Sequence, residues 1–179
     1  MEAKKEKELG QYEIGRGKYV VVSNYKGEVL THIRTYEQAK DSARTYPTKF
    51  GIVLRPTGFA NLLLLRDDIT EILQRVLDGE NISLHKHISN GTYVSITPDF
   101  KLVNLRKYFL PADTNVPVPT RSGICLSRKE WMDFITVSNI ISNDVKELKE
   151  ALPYVCTDVH YNQLGYYSCA YCNPFNIVP

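Results

Sequence analysis

The C-terminal stretch "LPYVCTDVHYNQLGYYSCAYCNPFNIVP" carries Cys156, His160, Cys169 and Cys172 in the order C-x3-H-x8-C-x2-C. A Cys-x-x-Cys pair lets two thiolates face one tetrahedral ion, and a histidine with one more cysteine would close a structural zinc site. The spacing matches no standard zinc finger, so two other readings stand beside it: buried unliganded thiols, and a redox-active or intermolecular disulfide. Cys125, in the apolar run "SGICL", reads as a core thiol. His85 and His87 alternate onto one face of a strand; the pair is able to hold a metal, but its setting assigns it to a basic surface. "GQYEIGRGK" contains Gly-x-Gly but does not end a strand as a phosphate loop requires. No residue is assigned a catalytic role, and the chain reads as a non-enzyme that requires no cofactor.

The chain has 179 residues, 43% hydrophobic and 23% charged, which is enough for one large or two small cores. No apolar run approaches the roughly 18 residues that span a bilayer. The first residues, "MEAKKEKELG", alternate in charge and lack the apolar centre of a signal peptide. They read as a flexible arm, residues 1–9, on an intracellular protein. Three of the four cysteines fall within the last 24 residues, which is not the spread of a disulfide framework. Residues 151–179 form a separate Tyr- and Cys-rich extension with five tyrosines after Leu152 and no Lys or Arg. That composition is too apolar for a solvated tail, so the segment is expected to pack on something.

What must position these groups is a repeat. "KYVVVSNYKGEVLTHIRTY" from Lys18 returns in looser form as "TYVSITPDFKLVNLRKYF" from Thr92. Tyr19 aligns with Tyr93; from Arg34 onward the offset is 72, pairing Arg34 with Arg106, Tyr36 with Tyr108, Gly51 with Gly123 and Phe59 with Trp131. A register held that long marks a duplicated unit of about seventy residues, here 10–78 and 79–150. Each unit reads as β-rich runs, a polar connection, a short strand ("FGIVL" or "SGICL") and one amphipathic helix. "YEI" and "HKHI" supply a first strand to each. Lys26-Gly27 is a tight hairpin turn, and Pro98-Asp99 marks a shorter one. The fold class is therefore α+β: two tandem units, each a four-stranded antiparallel sheet followed by a helix. A single helix leaves each unit an uncovered apolar face, so the units are expected to pair through their helices as an intramolecular pseudo-dimer.

The net charge of +2 conceals an asymmetry. The sheet portions, 10–56 and 85–129, carry +4 and +5, while the helical portions, 57–78 and 130–150, carry −2 and −3. Strand alternation places Tyr19, Val21, Ser23, Tyr25, Leu30, His32, Arg34 and Tyr36 on the outer face of the first sheet. Tyr93, Ser95, Leu102, Asn104, Arg106 and Tyr108 lie on that of the second. Arginine interleaved with aromatic and small polar side chains suits phosphate tracking and base stacking. The plain alternative is a solvated sheet face, since tyrosine is favoured in strands in any case.

The run "IGRGKYVVV", "NYKGEVLTHIRTY", "FGIVL" and, in the second copy, "TYVSI", "VNLRKYF" and "SGICLSRKEW" resembles the C-terminal domain of the transcriptional coactivator family Positive Cofactor Four. The resemblance covers about residues 11–150. It implies a curved antiparallel sheet, a helix that dimerises, and binding of single-stranded or melted DNA on the sheet face. Carried over by position, it implies contacts at Arg16, Lys18, Tyr25, Lys26, Arg34 and Lys49 in the first copy. In the second it implies Arg106, Phe109 and Arg121, with Lys86 and Lys101 nearby. The family's stacking Trp is Glu37 in the first copy and Phe109 in the second; the Lys after the hairpin Gly is Glu28. The function implied is single-stranded DNA binding with little sequence specificity, in nuclear transcription or replication of a cell or a virus. The rival is a protein-interaction scaffold that keeps the fold, has lost nucleic-acid binding, and docks transcription or replication proteins through its aromatic tail. The oligomeric state beyond the pseudo-dimer is left open.

Overall fold

A computed structural model of the chain describes residues 6–157, 160 and 162–178. The first unit is β1 (Lys7–Gly15), β2 (Lys18–Tyr25), β3 (Glu28–Gln38), β4 (Thr45–Leu54), α1 (Pro56–Leu64) and α2 (Arg66–Leu77). The second is β5 (Leu84–Ser89), β6 (Thr92–Ile96), β7 (Val103–Phe109), β8 (Val118–Leu126), α3 (Arg128–Asp144) and the short α4 (Lys146–Lys149). A 3-10 turn at Tyr154–Cys156 and α5 (Gln163–Ser168) follow in the extension. The strands form two four-stranded sheets, ordered β1-β2-β3-β4 and β5-β6-β7-β8, and every pairing is antiparallel. No described helix is long and apolar enough to cross a membrane.

Turn chemistry sets the hairpins. Lys26 and Gly27 have φ of 55° and 89°, the paired left-handed residues that join two right-twisted strands. Asn90-Gly91 does the same between β5 and β6, with φ of 47° and 72°. The β6–β7 connection differs from expectation: it runs from Thr97 to Leu102, and β6 has five residues where β2 has eight. The second copy's deletion shortened the strands, not the turn. Two other corrections concern boundaries. Residues 7–9, expected in a flexible arm, begin β1. The polar connections are shorter than the strands "FGIVL" and "SGICL" imply, because β4 and β8 start upstream, at Thr45 and Val118. Both strands pass through a bulge opposite Arg34–Tyr36 and Arg106–Tyr108, then resume pairing at Pro47 and Pro119. Proline and a broken register hide a strand from period-two reading.

One continuous core runs through both units, and its members recur in register: Val20 with Val94, Ile33 with Leu105, Ile52 with Ile124, Leu54 with Leu126, Phe59 with Trp131, Ile69 with Ile141. The expected pairing of helix with helix is a minor part of it. Helix α3 lies on β1 of the other unit, α1 lies on β5, and the last strands β4 and β8 approach each other. Close glycines make this possible. A Cβ on Gly15 would stand 2.5 Å from Glu130 Cγ, and one on Gly58 would stand 2.2 Å from Ser89 Oγ. Between the helices of the two units Trp131 Nε1 donates to Thr70 Oγ1 at 2.9 Å and Arg128 Nε donates to Gln74 Oε1 at 3.0 Å, and α4 packs against α1. The first helix is also split at Leu65, which closes α1 and opens α2 while the helical hydrogen bonds run on through it. Helix α3 begins with a full capping box, Ser127 and Glu130.

Candidate nucleic-acid interface

Arg34 and Arg106 occupy the same position on the outer faces of the two sheets. Each sits opposite a glycine, Gly51 or Gly123. A Cβ on Gly51 would lie 2.8 Å from Arg34 Cα, and one on Gly123 would lie 3.0 Å from Arg106 Cζ. With no side chain opposing it, each arginine lies across the neighbouring strand and reaches the bulge. Arg34 Nη1 donates to Thr48 O at 2.7 Å; Arg106 Nη1 donates to Thr120 O at 2.8 Å. The bulge is itself pinned, Thr48 Oγ1 donating to Thr35 O at 2.8 Å and Thr120 Oγ1 to Lys107 O at 2.6 Å. A guanidinium has five N–H donors, so one carbonyl orients the group and leaves most of its donors for an anion. Lys49 and Arg121 are exposed at equivalent places in the two bulges. Beside each arginine is a pair of tyrosines, Tyr19 with Tyr36 (centroids 5.1 Å apart) and Tyr93 with Tyr108 (4.7 Å).

The remaining expected contacts are more scattered. Tyr25 and Lys26 project from the β2–β3 turn, the ammonium 5.1 Å from the ring centroid. Arg16 is exposed in the turn at the other end of β2, and Lys101 in the β6–β7 loop. Phe109, at the end of β7 across from Val118, is 62% exposed. Two assignments are corrected. Lys18 Nζ donates to Cys125 O and to Glu130 Oε2, both at 2.8 Å; its charge joins the two units. Lys86 pairs with Val94, whose side chain is in the core. It therefore lies on the face away from Arg106.

Glu6, just ahead of β1, and Glu8 within it bring acids that the repeat did not expose. Glu6 Oε1 accepts from Ser23 Oγ at 2.6 Å and lies 3.3 Å from His32 Nε2. Glu6, Glu8, His32, Arg34 and Tyr36 line one cleft of about 370 Å³. Burial holds His32 below the usual imidazole range, although Glu6 pulls the other way. Burial, with Glu8 adding to it, raises Tyr36. The only sequence signal for this was the alternation of Glu6 and Glu8 ahead of "YEI".

On the second sheet the C-terminal extension fulfils the expectation that it packs. Tyr171 stacks on His87 (5.1 Å, 13°), and its carbonyl accepts from the Tyr93 hydroxyl. Tyr93 is buried, whereas its counterpart Tyr19 is only partly so. The Cys/His group is regrouped as well. Cys156 is exposed and outside the cluster. Instead the ligand atoms of His87, Cys169 and Cys172 all lie within 4.8 Å of one another. His160 Nε2 is 3.4 Å from Cys172 Sγ. Burial raises Cys172 to about 12 and lowers His87 to about 3. Sequence spacing missed His87 because it joins the cluster across 82 residues of chain. Cys125 Sγ instead lies 3.6 Å from Asn104 Oδ1, within its own sheet.

Comparison with known proteins agrees with the motifs. Residues 12–64 match the family model described as Transcriptional Coactivator p15 (PC4), the coactivator family those motifs resemble. A Caenorhabditis elegans protein described as "Putative RNA polymerase II transcriptional coactivator" is 39% identical over 61 residues, 34% of this chain and 47% of that protein. The matched region thus spans about half the length of that relative. The family match lies in the first unit and ends within α1; the second unit repeats its strand order and its arginine-on-glycine geometry.

Proposed function

We propose that the protein binds single-stranded or melted nucleic acid on the outer faces of its two sheets and acts, without catalysis, in nuclear transcription. The observation that carries this reading is the duplicated arginine. Two units that have diverged at most surface positions both keep Arg over Gly, hydrogen-bonded to a threonine carbonyl in a bulge, beside a tyrosine pair. A core needs none of that. Phosphates would be neutralised by Arg34, Arg106, Lys49 and Arg121, with Arg16, Lys26 and Lys101 at the margins. Bases would stack on Tyr25 and Phe109, with Tyr19, Tyr36 and Tyr108 partly accessible beside the arginines. The family match supports the transcriptional setting.

Fluorescence anisotropy of a labelled strand of about 20 nucleotides and of its duplex, titrated across salt, tests the reading; a site of this kind covers on the order of ten nucleotides per sheet. The expected result is preference for the single strand, falling steeply with salt. Equal, salt-insensitive binding of both would overturn it. A second reading, the interaction scaffold, draws on three observations: acids border the first face, the extension covers part of the second, and Phe175 and Ile177 are 69% and 67% exposed. Absence of single-strand binding at low salt would favour it.

A further inference from the structure

We propose that His87, Cys169, Cys172 and His160 bind one zinc ion, and that this ion fastens the C-terminal extension to the first hairpin of the second unit. Zn–S bonds of about 2.3 Å and Zn–N bonds of about 2.0 Å set neighbouring tetrahedral ligand atoms roughly 3.3 to 3.8 Å apart. His87 Nδ1 is 3.1 Å from Cys172 Sγ, and His160 Nε2 is 3.4 Å from it. Cys169 completes a group whose ligand atoms, with those of His87 and Cys172, lie within 4.8 Å. A tetrahedron follows when these three ligand atoms open around an ion and His160 is drawn in from beside Cys172.

The surroundings suit a closed structural site. Tyr171 stacks on the His87 ring, Tyr154 meets it edge-on at 5.2 Å, and Tyr154 and Tyr166 flank His160. These rings wall the cluster on several sides and hold its histidines in place, as the shell around a metal does, while His87, Tyr171 and Cys172 also border an open cleft of about 660 Å³. Two neutral imidazoles and two thiolates bring a charge of −2, so the zinc complex is neutral and tolerates burial. The charge balance is complete: each thiol releases one proton to solvent as its Zn–S bond forms, and each imidazole gives a lone pair. Nothing is oxidised.

One contact must yield. As placed, His87 Nε2 accepts from Gly91 N–H at 3.2 Å, which puts the ring proton on Nδ1, toward Cys172. Ligation through Nδ1 returns that proton to Nε2, so the Asn90-Gly91 turn gives up this hydrogen bond. The other three ligands all come from the extension, and His87 is the one anchor in the sheet. Metal binding is therefore docking.

The test is titration of the reduced full-length chain with cobalt(II), then zinc(II). One equivalent of cobalt should give the intense visible bands of tetrahedral coordination together with thiolate charge transfer, and zinc should abolish both. C169S, C172S and H87Q should lose the spectrum, H160Q should weaken binding at least tenfold, and C156S should leave it unchanged. H87C should restore tetrahedral binding with stronger charge transfer, which separates a lost ligand from a misfolded chain. In the zinc-loaded protein the extension should resist protease, and a chelator should expose it. The proposal is overturned if the reduced chain gives only weak octahedral cobalt spectra, or if H87Q keeps the spectrum. It is equally overturned if C156S removes the spectrum, or if a Cys169–Cys172 disulfide forms in a chain that, once reduced, binds no metal.

Discussion

Lys18 Nζ lies 2.8 Å from Glu130 Oε2, linking the start of β2 in the first unit to the first turn of α3 in the second. The same carboxylate oxygen accepts from Ser127 N–H at 2.8 Å, so one residue caps a helix and joins the units. Gly15 is the third participant, since any side chain there would displace Glu130.

The two roles separate by substitution. Glutamine can still serve at the third position of a capping box, so E130Q removes the ion pair and keeps the cap. The pair is partly buried, its side chains 23% and 13% exposed. The expected loss is about 1–2 kcal/mol, between the values for exposed and buried pairs. E130A should cost roughly 1 kcal/mol more through the lost cap. Urea denaturation measures both. Burial alone would raise the Glu130 carboxyl, but the Lys18 and Ser127 hydrogen bonds outweigh it and the net shift is downward. A lowered carboxylate stabilises above its unfolded value and loses that contribution as pH falls through the folded one. The stability gap between native chain and E130Q should therefore be full at neutral pH and close on acidification below the ordinary carboxylate range. A gap that persists in acid would mean the hydrogen bonds, not the charge, matter.

For Arg34 and Arg106 the measure is the salt slope of single-strand binding. Each phosphate contact contributes about 0.7 to the slope of log K against log salt on a single strand. R34A and R106A should each lower the slope by roughly that amount, and the double variant by about twice as much. Stability should change little, because the carbonyls of Thr48 and Thr120 sit at partly open bulges. Unchanged slopes would remove the arginines from the interface.

The scaffold was legible because duplication writes it twice. Tyr19/Tyr93, Arg34/Arg106 and Phe59/Trp131 each hold their expected places, and β2 and β6 have the bounds that alternation gives. What escaped were features that break a period or depend on distance. Pro47 and Pro119 conceal strand behind a bulge, and Lys18 reads as a phosphate contact until Glu130 meets it from another unit. Lys86 looks basic and near, yet its parity puts it on the wrong face. His87 joins its cluster only in three dimensions.

The Gly58–Ser89 contact offers a test of the inter-unit packing. Ala at 58 would bring a methyl within 2.2 Å of Ser89 Oγ, so G58A should cost on the order of 1–3 kcal/mol by overpacking. Taking away the hydroxyl should relieve most of it, leaving the Cβ of residue 89 at 3.2 Å. Alanine is favoured over glycine in a helix by about 1 kcal/mol, so G58A/S89A should approach or exceed the native stability. A double-mutant cycle by thermal denaturation measures the coupling; strict additivity would mean α1 does not rest on β5 in this way.

The acids beside Arg34 give the last test. Glu6 holds Ser23 and lies against His32, and Glu8 shares their cleft, so two negative charges border the path a phosphate would take to Arg34. Like charge at that range lowers association and affinity, more so at low salt. E6Q/E8Q should bind single strands several-fold more tightly at low ionic strength, with the gain shrinking as salt rises. Glutamine at position 6 keeps an oxygen for Ser23, so the fold of β1 should survive. His32 is held low by burial, and Glu6 is what supports its protonated form; the double variant should depress it further, as NMR titration of its ring protons would report. Tighter binding without a shift at His32 would mean the carboxylates act on the nucleic acid alone. No change in affinity would mean that the strand does not cross this face of the first unit.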